Sequence, residues 1–158
     1  MKFTHLDEHD RPRMVDVTAK ESSLREAVAG GRVLMRSDTV KAIESGGVAK
    51  GNVYATAKIA GIMAAKKTSA LIPMCHPLAL TGIDIDFSSD PEKGEIAVTA
   101  HVKTLDRTGV EMEAMTAVSV AALTVYDMCK SADREITLSD IRLLKKSGGK
   151  SGTFVREE

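Results

Sequence analysis

Two stretches of the chain alternate apolar and polar residues with period two. In 81–87, Ile83, Ile85 and Phe87 alternate with Asp84 and Asp86; in 95–105, Ile96, Val98, Ala100 and Val102 fall on one side. Such alternation marks half-buried strands, and the SSDPEKG between them carries the turn residues of a hairpin connection. Two other stretches do not alternate. VYATAKIAGIMAAKKT (53–68) predicts a long helix that cannot pass Ile72, because Pro73 biases its predecessor out of the α region. Gly61 inside it costs about 1 kcal/mol against Ala, which implies close packing there. Residues 110–130 predict a second long helix, apolar around nearly its whole circumference and therefore deeply buried. Towards the N-terminus, ESSLREAVA (21–29) predicts a short helix ended by Gly30-Gly31, and RVLMR (32–36) a short strand. TVKAIES predicts another short helix, capped by Ser37-Asp38 and closed by Gly46-Gly47. REITLSDIRLLKK (134–146) reads as a final strand that a break near Ser139-Asp140 could interrupt.

With the small N-terminal helices set aside, the order is strand, helix, strand, strand, helix, strand. That is the β-α-β-β-α-β pattern of a ferredoxin-like α+β sandwich, an antiparallel sheet packed by helices. Residues 1–13 read as a polar arm and 14–158 as one domain, whose Gly-rich tail (147–158) is flexible in composition. This architecture hosts many activities, so function must come from the site.

Composition narrows the classes. Lys plus Arg is 22 and Asp plus Glu is 22, which removes the usual electrostatic case for non-specific DNA binding while leaving room for a local basic patch. No Trp, two Tyr and three Phe leave too few rings for an aromatic base-stacking platform. No apolar run reaches a membrane span of about 18 residues, and the polar N-terminus does not read as a signal peptide. Cys75 and Cys129 lie far apart and form no C-x-x-C pair, so a reducing cytoplasm is the expected setting.

The charges of the 110–130 helix sit at its ends: Glu111 and Glu113, then Asp127 and Lys130. At about 100° per residue, Glu113, Asp127 and Lys130 share one arc, while Glu111 points nearly the other way. Glu113 and Asp127 are nevertheless about 21 Å apart along the axis at 1.5 Å per residue. If both ends serve one site, two chains supply them across a symmetry axis. Dipole complementarity and a surface Asp127–Lys130 pair account for the same residues without a site. His76 is held between Pro73 and Pro77 beside Cys75. Adjacent residues of an extended segment point to opposite sides, which argues against a Cys-His nucleophile pair. A zinc site would need more ligands at regular spacing. Lys50 precedes Gly51 at a helix N-terminus, a place suited to anions. KKSGGKSG (145–152) contains G-K-S, but Leu144 stands where a P-loop requires Gly; a basic glycine-rich loop still suits phosphate. Together these suggest lysines, one His and a few carboxylates around a small anionic ligand, with no cofactor fingerprint.

Several longer strings then carry a resemblance: MVDV (14–17), KGNV (50–53), IAGIMAAKKT (59–68), LIPMCHPL (71–78), TGVEMEAMT (108–116), YDMCK (126–130) and LLKKSGGKSG (143–152). They resemble the cyclic pyranopterin monophosphate synthases, the C family of molybdenum-cofactor biosynthesis proteins, from about Met14 to Gly152. Asn52 stands where several family members have Asp. The resemblance implies a ferredoxin-like lyase, assembled as a hexamer (a trimer of dimers) with active sites at a subunit interface. It implies a GTP-derived substrate, 3′,8-cyclo-7,8-dihydroguanosine triphosphate, rearranged to a pyranopterin with a cyclic phosphate and release of diphosphate. Carried over position by position, Lys50, Asp127 and Lys130 would be catalytic; Cys75, His76, Glu111, Met112, Glu113 and Lys146 would line the substrate pocket. No resident cofactor or metal is implied, although Mg²⁺ can accompany the triphosphate. Neither nucleic acid nor membrane is an expected partner. The competing class is a non-catalytic oligomeric module that binds a small ligand at its interfaces.

Overall fold

The structure is a computed structural model that describes residues 6–157. Five strands, β1 (Ser23–Leu34), β2 (Leu80–Asp90), β3 (Glu95–Asp106), β4 (Thr137–Ser147) and β5 (Phe154–Val155), form one sheet in the order β2-β3-β1-β4-β5. Every pairing is antiparallel. Four helices complete the chain: α1 (Ser37–Glu44), α2 (Val53–Ala65), α3 (Thr68–Leu71) and α4 (Glu111–Cys129). Helices α2 and α4 pack on each other, α4 lying on β1, β3 and β4 and α2 on β2. This is the ferredoxin-like α+β sandwich.

The core lies between α4, α2 and the inner sheet face. Ile96, Val98, Ala100 and Val102 of β3 and Ile85 of β2 are fully buried there, as the alternation predicts. Gly61 sits where α2 crosses α4. A Cβ on it would come within 2.4 Å of Ile85 Cδ1 and 2.8 Å of the Ala117 carbonyl, so only glycine permits this approach.

The segment 21–29 differs from expectation: it is strand, not helix. Ser23–Leu34 is one continuous central strand, paired with β3 on one side and β4 on the other. Leu, Arg, Glu and Ala favour helix locally, but two flanking hydrogen-bond ladders and a small-residue inner face override that preference. Ala27, Ala29 and Val33 are buried. Gly30-Gly31 therefore does not end a helix. A Cβ at Gly31 would lie 2.8 Å from Val118 Cγ1 on α4, and one at Gly30 would lie 2.8 Å from Leu144 Cδ1. Glycine inside a strand here marks close approach of neighbouring elements.

The weak point in the last strand is a bulge rather than a break. Gly30 pairs with Arg142 and Arg32 with Ser139, while Asp140 has φ +53°. The tail does not simply trail away: β5 pairs Val155 with Lys145 and Phe154 with Lys146, and the Arg156 N–H donates to the Leu144 carbonyl. Within the polar arm, Leu6 bridges Pro12, and Asp7 accepts from the N–H groups of His9 and Arg11. Residues 1–5 lie outside the described part.

Helix α4 is not enclosed on all sides in the single chain. Its inner face is buried from Ala114 to Cys129, but Leu123 is more than half exposed, as are Ile59 and Met63 on α2. An apolar circumference therefore meets core on one side and leaves apolar side chains outward on another. No helix among the described residues is long and apolar enough to cross a membrane.

Candidate functional site

The C-terminal end of α4 carries a three-membered charge cluster. Asn52, at the N-cap of α2, accepts a hydrogen bond from the Ala55 N–H and so anchors the 48–52 loop at the helix start. That loop brings Lys50 to the last turn of α4. Its Nζ donates to the Asp127 main-chain carbonyl at 2.7 Å and to Asp127 Oδ2 at 3.1 Å. Lys130 Nζ meets the other carboxylate oxygen, Oδ1, at 2.7 Å. Asp127 thus bridges two ammonium groups. Lys130 first and Lys50 second hold its carboxyl below the usual carboxylate range. In return Asp127 raises the pKa of Lys130. All three side chains are about half exposed, so solvent screens these interactions.

The turn after Lys130 is braced from inside the fold. Asp133 is buried and accepts from the Arg36 N–H at 2.8 Å, the Glu135 N–H at 3.2 Å and the Thr39 hydroxyl at 3.3 Å. These bonds tie that turn to the start of α1. A cavity of about 330 Å³ lies beside Lys50, bordered by Arg36, Val48, Met128 and Cys129.

The N-terminal end of α4 carries a different arrangement. Glu113 is 4% exposed, and burial pushes its carboxyl up to about 7, with the nearby Glu111 charge adding to the rise. Glu111 occupies the first helical position and pairs with Lys146 of β4 at 2.7 Å. The helical arc separates Glu111 from Glu113, yet both border one cavity of about 400 Å³. At the first position a side chain can reach past the helix end, so angular position alone does not assign its side. Met112, Cys75 and His76 border the same cavity. His76 Nε2 lies 2.7 Å from the Val15 carbonyl, so that nitrogen carries the donated proton and ties the 72–78 loop to the 14–17 segment.

The expected opposition of Cys75 and His76 does not hold. The Cys75 N–H donates to the Ile72 carbonyl across a turn, so the segment is not extended at that point. Burial, with the nearby Glu113 carboxylate, raises the Cys75 thiol pKa. That disfavours the thiolate a nucleophile would need. No three His, Cys, Asp or Glu side chains converge in a metal-binding arrangement among the described residues.

The sequence candidates therefore fall into two groups at opposite ends of α4. Lys50, Asp127 and Lys130 form one; Cys75, His76, Glu111, Met112, Glu113 and Lys146 border or adjoin the other. The cavities at the two ends share no lining residue. The Lys50–Asp127 contact has no signal in the sequence, since the two residues are 77 apart and meet only by folding. Lys20, Thr108 and Gly109 also border the Glu113 cavity. Lys20 belongs to no motif that would single it out.

Comparison with known proteins places this arrangement in context. The sequence model of the MoaC family matches residues 14–149. A protein of Heliobacterium modesticaldum named cyclic pyranopterin monophosphate synthase is 58% identical over 156 residues, covering 99% of this chain and 98% of its own. A protein of the same name from Thermoanaerobacter sp. (strain X514) is 57% identical, with 99% of each chain covered. A third, from Desulfitobacterium hafniense, is 57% identical over 100% of this chain and 96% of its own.

Proposed function

Because the chain belongs to the MoaC family, we propose that it is a lyase of molybdenum-cofactor biosynthesis that forms cyclic pyranopterin monophosphate. The observation that carries the reaction is whole-length similarity to relatives bearing that name, with 98–99% of each of the first two covered. The substrate is 3′,8-cyclo-7,8-dihydroguanosine triphosphate. In its last bond changes a sugar-derived hydroxyl attacks the α-phosphorus and loses its proton. The bond from that phosphorus to the bridging oxygen breaks, and diphosphate leaves with the electron pair.

Lys130, paired with Asp127, and Lys50 move the protons. Asp127 favours the charged form of Lys130, so this lysine begins as a proton donor. A base role needs burial to remove that charge, and a half-exposed side chain has none within one chain. Substrate and a second subunit supply it. The pocket at the other end of α4 holds the ring system. Glu111 and Glu113 accept from the guanine-derived N–H edge, while Met112, Cys75 and His76 shape the walls. Lys146 stands beside Glu111, ready for sugar or phosphate. The site closes only between chains, because these groups are about 21 Å apart along α4. The assembly is a homo-oligomer, a hexamer built as a trimer of dimers, in the cytoplasm. No resident cofactor takes part.

The test is turnover of the purified protein supplied with the cyclic dihydro-GTP intermediate, following diphosphate release and the fluorescent oxidised pterin together. Both products are expected, with Lys130→Ala and Lys50→Ala each lowering kcat by at least about a thousandfold while the oligomer persists. Saturable binding with neither product would replace this reading with a ligand-binding module. Near-normal turnover in either variant would remove that lysine from the chemistry.

A further inference from the structure

Two carboxylates are buried among the described residues, Glu113 and Asp133. Glu113 faces the cavity at the start of α4. Asp133 is 2% exposed, and none of the roles above employs it. Burying an ionised carboxylate is costly unless hydrogen bonds offset the lost water. Here the Arg36 N–H first, with the Glu135 N–H and the Thr39 hydroxyl, holds the Asp133 carboxyl below the usual carboxylate range, so the buried group is charged.

These bonds reach in two directions. Towards α4, the Ala132 and Asp133 N–H groups both donate to the Cys129 carbonyl, at 2.9 and 3.1 Å, and fold the turn onto the helix end. Lys130 is the C-cap residue there, its N–H donating to the Tyr126 carbonyl. Towards α1, Asp133 Oδ2 accepts from the Arg36 N–H and the Thr39 hydroxyl. Arg36 is the N-cap residue of α1 but gives that helix no side-chain cap; its guanidinium donates instead to the Ala132 carbonyl at 2.9 Å. From α1 the chain turns at Gly46-Gly47 into the loop that carries Lys50. Asp133 is therefore the joint between the two segments that carry the lysines.

Apolar packing does not close that joint. The cavity of about 330 Å³ beside Lys50 is bordered by Thr39 and Ala42 of α1, by Val48 of the loop, and by Cys129 and Ala132 at the end of α4. An opening thus stands where interdigitated side chains would ordinarily fix the distance between neighbouring segments. Polar ties cross it instead, at Asp133 and where Lys50 meets Asp127. The Lys50–Asp127 tie is half exposed and screened by solvent. The Asp133 tie is buried and charge-assisted, so it sets the spacing.

We propose that Asp133 is a positioning residue, whose buried carboxylate fixes the spacing between Lys50 and Lys130 by tying the start of α1 to the turn after α4. Lys50 and Lys130 reach different oxygens of Asp127. Lys130 stands at i+3 from Asp127 and keeps its contact whatever α1 does. Lys50 comes from a distant segment and loses its contact when α1 and the turn drift apart. A misplacement of about 1 Å costs about a hundredfold in rate. Ring binding at the other end of α4 does not depend on this joint, so the effect falls on kcat rather than on KM. The inference rests on the lysine chemistry proposed above, but its geometric half is tested without turnover.

The experiment compares full-length wild type, Asp133→Ala, Asp133→Asn and Val98→Ala by kcat, by KM and by crystal structure. Val98 is buried in the middle of β3 and controls for lost stability alone. Asp133→Ala is expected to lower kcat about a hundredfold with KM within about threefold. Asp133→Asn keeps the shape and one oxygen acceptor and should recover part of that loss, with kcat about tenfold below wild type. In both variants the distance from Lys50 Nζ to Asp127 Oδ2, 3.1 Å in wild type, should lengthen beyond hydrogen-bond reach, while Lys130 stays at 2.7 Å from Oδ1. Val98→Ala should change neither kcat by more than about threefold nor that distance. If Asp133→Ala does not fold, Asp133→Asn carries the same comparison. An unmoved Lys50–Asp127 contact, an unchanged kcat in the Asp133 variants, or an equal fall in Val98→Ala overturns the inference and leaves the proposed reaction standing. A wild type without turnover removes the reaction, and the Lys50–Asp127 distance then decides the role of Asp133 by itself.

Discussion

Glu113 is a carboxylic acid placed in the buried face of a helix, and its cost is set by pH. Folded, it keeps its proton to about pH 7; the ordinary value is 4.5. Between those values the native state holds more protons than the unfolded chain. Stability therefore falls as pH rises through the window and levels off above it. Glu113→Gln keeps the shape and removes the titration. Denaturant midpoints at pH 5 and pH 8, at equal protein concentration, should separate for wild type and coincide for the variant. The expected separation is up to about 3 kcal/mol. Equal midpoints in wild type would mean that the carboxyl is already ionised or solvated. Asp127 is the opposite case: exposed, it bridges two lysines whose charges hold its carboxyl below the usual range.

At the scale of elements, the α2–α4 crossing decides where both charge clusters stand. Its contact point is Gly61, whose missing side chain lets the helices and Ile85 come together. Helix propensity favours Gly61→Ala by about 1 kcal/mol. Overpacking against a backbone carbonyl costs about 1–3 kcal/mol and should win. The variant is expected to unfold at lower temperature in differential scanning calorimetry; a raised Tm would mean that α2 can shift freely. A shift of α2 would also move the 48–52 loop and lengthen the Lys50–Asp127 contact. Strand β1 obeys the same principle, with Gly31 open beneath Val118 of the same helix.

At the scale of the whole molecule, each chain carries charged groups at both ends of α4 and outward apolar side chains at Ile59, Met63 and Leu123. A site shared between chains can be tested by complementation. Lys130→Ala and Glu113→Ala subunits, each inactive alone, would be unfolded and reassembled together in equal amounts. Random mixing leaves about one quarter of shared sites with both groups intact, so turnover should recover to about that fraction of wild type. A mixture as inactive as its parents would place both groups in one chain's site.

Much of this is legible in the sequence because it depends on short-range patterns. Period-two alternation reveals β2 and β3, and uninterrupted apolar stretches reveal α2 and α4. The motif strings point to the family. Segment 21–29 reads wrongly as helix for the converse reason: its residues prefer helix in isolation, and only pairing on both edges makes it the central strand. The bulge at Asp140 and the return of Phe154–Val155 onto β4 likewise depend on partners distant in sequence. So do the site's contacts. Helix rise alone dictates that Glu113 and Asp127 lie too far apart for one small ligand. That Asp127 faces Lys50, that Glu111 reaches Lys146, and that Asp133 reaches the start of α1 were decided by tertiary structure, because burial and ion pairing depend on which distant segments the sheet order brings together.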